Sequence, residues 1–314
     1  MISTPATVPR QDALDTSGAS GASGASGAAG TLDSIAPRRR KRRRNALPNA
    51  LGLVVFLVAA FPVYWMVLTS FRRGVDIQQP SPEFVPSPGT LANYRKVFDR
   101  DFFWTAVKNS LTVTLLVLVL ALFIAFLAAV SVSRFRFRGR KAFIVMILLV
   151  QMVPAEALII SLFRILDGWD LINTIVGLTL TYLAFVLPFT IWTLRGFVAN
   201  VPKELEEASM VDGSTRFRAF MTITLPLVAP GLVATGVFAF IQAWNEFIFA
   251  LVIMNRPEKQ TLPVWLQAFN EGAKGTDWGG VMAGSTLMAI PVVIFFLLVQ
   301  RRLASGLTAG AVKG

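Results

Sequence analysis

Two carboxylates stand inside long apolar runs of this 314-residue chain: Glu156 within residues 142–163 and Glu246 within residues 219–255. A charge at such depth is costly unless it faces protein or water, so each one marks a polar site. Gln151 and Pro154 lie beside the first, Trp244 and Asn245 beside the second. Pro154 is placed to break a helix near its middle and open backbone polar groups toward a cavity. Gln151, Glu156, Asn245 and Glu246 then offer amides and carboxylates either to a polar solute or to a hydrogen-bond network between helices. Trp65, Trp169, Trp192, Trp244, Trp265 and Trp278 supply either aromatic platforms for such a solute or anchors at a membrane surface. Other chemistries are excluded. The chain has no Cys and no His, which removes disulfides, thiolate or imidazole metal sites and Cys- or His-based catalysis. It has no Gly-x-x-x-x-Gly-Lys-Ser/Thr phosphate loop, and no Gly-Lys pair at all.

The elements that must position these groups are apolar helices. Hydrophobic types make up 54% of the residues and charged types only 15%, against about a quarter charged in soluble domains. Six runs carry at most one acid each: residues 45–71, 109–133, 142–163, 171–194, 219–255 and 278–300. A membrane helix needs about 20 such residues, and strand-like alternation is absent from them. The expected fold is all-α, a polytopic membrane protein with six transmembrane helices. Basic residues orient it. Seven of them form the run Arg38–Arg44 before the first span, five lie between Arg134 and Lys141, and Arg301 and Arg302 follow the last. These segments share one side only if all six runs cross, which puts both termini in the cytoplasm. The net charge of +12 is largely that first run. Its position favours topology and contact with anionic membrane lipid over nucleic-acid binding. The first span is too long for a cleaved signal peptide. Residues 1–45 read as a disordered Gly/Ala/Ser-rich and polybasic cytoplasmic tail, 46–305 as the transmembrane domain, and 306–314 as a cytoplasmic C-terminal tail.

The loop between the fourth and fifth spans, residues 196–226, is the most informative stretch. Pro202 suits a first helical position, and Glu204, Glu206 and Glu207 follow where a helix dipole favours acids. Gly213 is expected to stop this helix and Ser214 to cap the next. Phe217, Phe220, Met221 and Thr224 recur at the spacing of one helical face, and the second helix is expected to end near Pro226. Two short helices with a sharp bend make a rigid knob. The small residues Ala208, Ser209 and Gly213 let another surface approach, with Phe217 and Phe220 available for a partner's groove or for the chain's own spans.

Glu207-Ala208-Ser209, three residues ending in Asp212, Gly213, nine residues, Ile223, one residue and Leu225-Pro226 resemble the EAA loop of ABC importer permeases; Ser209 for Ala is the only departure. Further stretches resemble the carbohydrate class, of the maltose-type second permease subunit. They are Asn93-Tyr94 after Leu91, Asn109-Ser110-Leu111, Gln151 to Pro154, Trp244 to Phe247, and the tail from Gly306 to Gly314. The resemblance covers residues 47–314. It implies a type I ABC importer permease fold in a bacterial cell membrane and a non-enzymatic transport subunit for a sugar or oligosaccharide. The implied partners are a second permease subunit, a cytoplasmic ABC ATPase dimer that holds ATP and Mg, and an extracytoplasmic solute-binding protein docking on the longer outer loops. No cofactor is expected on this chain itself. Glu207 would be the polar contact to the ATPase, Gly213 the bend, and Phe217 with Phe220 the packing surface, while the C-terminal tail would touch the ATPase pair. Other readings are an importer for a peptide or polyamine, a stand-alone secondary carrier, and a membrane-embedded enzyme. Few membrane acids, no visible inverted repeat and no paired acids at metal spacing weigh against the last two.

Overall fold

The computed structural model describes residues 46–80, 84–85, 88–270 and 275–311, with side chains within residues 47–300. The expected N-terminal tail, residues 1–45, lies outside them. Internal contacts divide the chain into Met1–Val55 and Phe56–Gly314. Of the first unit only the helical residues 46–55 are described, and the architecture below is that of the second.

In chain order the helices are α1 (Ala46–Ser70), α2 (Gly74–Ile77), α3 (Ala92–Asp99), α4 (Phe103–Arg134), α5 (Arg140–Val150), α6 (Ile159–Gly168, after a 3-10 turn at Ala155–Leu158), α7 (Ile175–Ala199) and α8 (Lys203–Val211). They continue with α9 (Arg216–Ala219), which runs through a π-helical turn at Phe220–Thr224 into α10 (Leu225–Asn245). Last come α11 (Ile248–Ile253), α12 (Leu262–Trp265) and α13 (Trp278–Ala311). No strand occurs among the described residues beyond one isolated bridge, Asn270 to Thr276. Five stretches are long and apolar enough to cross a membrane: Leu47–Ser70, Phe103–Arg134, Ile175–Ala199, Arg216–Asn245 and Trp278–Gln300.

The third expected span is not a straight helix. α5 and the segment Ala155–Gly168 meet at 93°. The break that Pro154 announced is real: Pro154 is extended (φ −61°, ψ 121°), lacks an N–H, and disfavours helix in the residue before it. Val153 N–H closes the end of α5 on Val150 O at 3.3 Å.

The centre is the contact of α4 with α7. Val113, Val117, Ala121, Ala125 and Ala129 fall on every fourth residue of α4 and are buried. That spacing draws one stripe along a helix face, and its alanine half lets a neighbouring backbone come close. Between helices in lipid, packing rather than water exclusion supplies the attraction. Leu178, Leu183 and Val186 of α7 and Ala239 and Ala243 of α10 share a cluster with the upper stripe. Leu194 and Val198 of α7 and Val228 of α10 share one with Ala125 and Ala129. Gly231 of α10 is required here, since a Cβ would overlap the Phe197 ring of α7. Three buried hydroxyls are satisfied inside their own helices: Thr181 donates to Gly177 O (2.9 Å), Thr190 to Val186 O (2.8 Å) and Thr235 to Gly231 O (2.8 Å).

The end of the bundle opposite α8 is stitched by polar contacts. Asn93 Nδ2 donates to Ser70 O (2.9 Å) and Arg72 O (2.7 Å), occupying carbonyls at and just past the end of α1. Tyr94 and Ser70 hydroxyls meet at 2.7 Å. Asn109 donates to Lys259 O and Gln260 O, and Leu262 N–H donates to Ser110 Oγ at 2.7 Å. Trp244 Nε1 reaches Met288 O at 3.1 Å, tying α10 to α13.

Asp277 caps α13 through Gly280 N–H (3.1 Å) and pairs with Lys96 at 3.0 Å. Partial burial pushes its carboxyl up, but Lys96, Gly280 N–H and the nearby Arg100 together outweigh that and hold it below the usual value. A depressed folded-state value stabilises the native state above the unfolded value and loses that contribution as pH falls through the folded one. The stability difference between wild type and Asp277→Asn is therefore expected to be full above pH about 4 and to vanish on further acidification, measured by thermal melts in detergent across that range.

Candidate functional site

The loop after α7 folds into the expected knob, with four local corrections. Pro202 is extended (φ −58°, ψ 136°) and precedes the helix instead of opening it. Gly213 ends α8 at φ +91°; nothing crowds a Cβ there, so the backbone angle alone calls for glycine. Gly213 N–H bonds to Met210 O (3.1 Å) and Ser214 N–H to Ser209 O (3.0 Å), closing a Schellman motif. Ser214 therefore belongs to the closure of α8, and it is the Thr215 hydroxyl that caps α9, accepting from Arg218 N–H at 3.3 Å.

The helix does not end at Pro226. It runs on through the wide turn Phe220–Thr224, and Leu225 stays helical (φ −60°, ψ −46°) despite the proline after it. Pro226 is the second residue of α10, directly after the π-helical turn. The expected single face of Phe217, Phe220, Met221 and Thr224 is also divided. Ala219 and Thr224 are buried and Phe220 lies 5.8 Å from the Phe126 ring of α4, whereas Phe217 is 69% exposed and Met221 also points outward.

Glu207, Ala208, Asp212 and Gly213 are exposed, Ser209, Ile223 and Leu225 are half-buried, and Pro226 is exposed. Leu205, Val211 and Phe217 are large apolar side chains left open to the same surroundings. An exposed cluster of this kind marks a contact surface, here with an acid among apolar neighbours.

The neighbouring acid does something else. Glu206 forms an ion pair with Arg134, the last residue of α4, at 2.9 Å, with side chains 16% and 9% exposed. The Thr224 hydroxyl donates to the same carboxylate. Arg134 Nη1 donates to Val201 O at 3.0 Å, and Ser133 to Arg195 O at 3.3 Å. One carboxylate thus fastens α8 to the end of α4 and to the start of α10. Sequence reasoning had used Glu206 only as an acid in a first helical turn. Its signal was the offset from Glu207: adjacent helix positions point about 100° apart, so one acid faces out when the other faces in.

The four groups expected deep in the bundle are placed at two breaks. Glu246 separates α10 from α11, and its carboxylate accepts Phe249 N–H (2.8 Å) and Ala250 N–H (3.0 Å), capping α11. Asn245 is exposed and donates to Ile241 O of its own helix. Gln151 and Glu156 are exposed on either side of Pro154. Ala155 and Ile159 from the one break and Phe247 from the other pack on the same buried cluster, so both breaks border one region. α10 joins this region to the knob: its 21 residues span about 30 Å. Among the described residues no group of acids could hold a metal ion.

Breaking the inner ion pair from one side strands a shielded charge. Arg134→Ala or Glu206→Gln is expected to raise trypsin cleavage at Lys203 about tenfold through local opening, and the exchange Arg134→Glu with Glu206→Arg to restore most of the protection.

The profile of a family described as "Binding-protein-dependent transport system inner membrane component" matches residues 118–309. The chain is 48% identical over 267 residues to the diacetylchitobiose uptake system permease protein of Streptomyces coelicolor, covering 85% of this chain and 96% of that protein. It is 37% identical over 271 residues to the trehalose/maltose transport system permease protein of Thermococcus litoralis, covering 84% and 95%. Among solved structures, a chain of a bacterial ABC transporter involved in the import of the acidic polysaccharide alginate superposes with a TM-score of 0.69 at 23% identity, covering 85% of this chain and 99% of that one. That last likeness concerns the fold.

Proposed function

We propose a mechanism from one premise: the chain belongs to the family of binding-protein-dependent transport system inner membrane components. It is a multi-pass membrane permease subunit of an ABC importer and not an enzyme. Its solute is a sugar or oligosaccharide, the class carried by the named relatives that share most of its length. A chitin-derived disaccharide is the first ligand to test, supported by the 48% identity to a diacetylchitobiose permease.

The observation that carries the mechanism is the opposed pair of acids on α8. Glu206 is turned inward on Arg134, whereas Glu207 is exposed, as is Phe217 of the following helix. The outward face seats in a cytoplasmic ATPase subunit, which holds ATP and Mg. The inward anchor passes any displacement of the knob to α4 and α10. Closure of the ATPase pair then rocks these helices as rigid bodies, and the far end of α10 carries the motion to the break at Glu246. The basic loop from Arg134 to Lys141 supports a cytoplasmic position for this end of the bundle. The opposite end, with α2, α3 and the loop before α13, faces the extracytoplasmic binding protein. Gln151, Glu156, Asn245 and Glu246 border the solute pathway, which a second permease subunit completes. The extension of α13 to Ala311 brings the C-terminal segment to the ATPase side.

Two measurements test this. Glu207→Arg and Gly213→Pro are expected to leave the protein in the membrane while lowering vanadate-sensitive sugar uptake more than tenfold, since each costs at least the 1.4 kcal/mol that a factor of ten represents. Normal uptake by both would remove the coupling role. Asn245→Ala and Glu156→Gln are expected to raise the apparent KM for the sugar about threefold to tenfold, the loss of one hydrogen bond; an unchanged KM in both takes these residues out of the pathway.

A further inference from the structure

At the end of the bundle opposite α8, a cavity of about 310 Å³ lies between the end of α1, α2 and the start of α13. Trp65, Thr69, Arg72, Ile77, Gln78, Trp278 and Met282 line it. Arg72 is 5% exposed, and its Nε and Nη2 have no hydrogen-bond partner among the described residues; the Thr69 hydroxyl, on a residue 4% exposed, has none either. The Arg72 guanidinium stands 5.3 Å from the centre of the Trp65 ring. That contact satisfies a cation's charge in part but supplies no acceptor for its N–H groups.

The chemistry of the vacant donors is specific. Nε and Nη2 lie on one edge of a guanidinium, and two parallel N–H groups on one edge match the two oxygens of a phosphate or carboxylate. A buried, unpaired guanidinium edge is costly to keep, and an oxyanion relieves that cost.

Depth selects the source of the oxyanion. The first span ends at Ser70 and the last begins at Trp278, so Arg72, Gln78 and Trp278 stand at the level of the lipid head groups. Trp65 and Met282 lie about 6–8 Å deeper by helix rise, where acyl chains begin. The cavity therefore has a cationic and amide rim above an apolar floor. Its flank on α1 is apolar and open, with Phe61 and Val63 exposed. A polar head above a hydrocarbon chain is the shape of a phospholipid, and Trp and Arg at this depth suit its interface.

We infer that this cavity is a binding site for an anionic phospholipid of the adjoining leaflet, whose phosphate is held by Arg72 and Thr69 and whose first acyl segment lies between Trp65 and Met282. The lipid fills the junction where the first and last spans meet the surface helices. It completes the hydrogen bonding of Arg72 there and ties α1 to α13.

The test uses the full chain in phosphatidylcholine bicelles containing phosphatidylglycerol, read by native mass spectrometry as retained lipid per chain. Wild type is expected to retain one phosphatidylglycerol that Arg72→Gln releases about tenfold more readily, the worth of charge-assisted hydrogen bonds. Met282→Trp fills the floor while leaving the guanidinium in place and is expected to lose the same lipid. Three outcomes overturn the assignment. In one, all three proteins retain the lipid equally. In another, inorganic phosphate displaces it, which makes the site one for the free ion. In the third, Arg72→Gln keeps the lipid but weakens capture of the extracytoplasmic binding protein, which assigns the edge to a protein carboxylate.

Discussion

The core of the described bundle leans on the seam between α4 and α7. In a layer without water, two helices hold together only if their surfaces fit, because lipid chains are as good a neighbour for leucine as another helix is. The stripe from Val113 to Ala129 meets that condition with progressively smaller side chains. Its upper, bulkier part receives α7, α10 and α11, and its lower alanine part draws α7 and α10 close enough for the glycine at position 231 to be unavoidable. The ion pair at Arg134 inherits its geometry from this seam, since Arg134 is the terminal residue of the same helix. α13, by contrast, is attached through the Phe240–Phe295 stack and the indole of Trp244, and through surface contacts at one end.

A division of labour between neighbouring acids follows from that arrangement. Glu206 makes α8 part of the bundle; Glu207 leaves it available to something else. A loop that only dangled would bind a partner without transmitting force, and a loop wholly buried would have nothing to bind with. The Schellman closure at Gly213 and the Thr215 cap stiffen the bend between the two helices.

Much of this was legible from residue types. Apolar runs located five of the spans, because hydropathy depends on composition along the chain and little else, although the run 219–255 overshot its span by ten residues, since composition does not register the break at Glu246. The third run was legible in content but not in direction: a window of apolar residues counts the same whether the backbone continues or turns, and only Pro154 hinted at the right angle that exists. The knob's bend was readable, as glycine is the residue for a positive φ. Which serine or threonine capped the next helix was not, since both hydroxyls suit and the choice depended on where the backbone leaves the turn at Gly213. The inward role of Glu206 required knowing that Arg134, seventy-two positions earlier, lies under it. Several of the stretches that carried the family resemblance have structural tasks. Asn93 and Tyr94 fasten the end of α1, Asn109 and Ser110 hold the segment before α12, and Glu246 caps α11. Their side chains supply the hydrogen bonds that secure exposed helix ends.

The right-angled break of the third span bears on how the protein is made. α5 contains 11 residues, a length of about 16 Å, roughly half of the hydrocarbon thickness. Neither half of the broken segment can therefore be threaded into the bilayer as a free-standing helix, and the turn between them exposes carbonyls that lipid cannot satisfy. In chain order this piece precedes α7 and α10, whose residues share the buried cluster on which it packs. The right angle therefore reaches the membrane ahead of its packing partners, and its final path depends on helices that follow it.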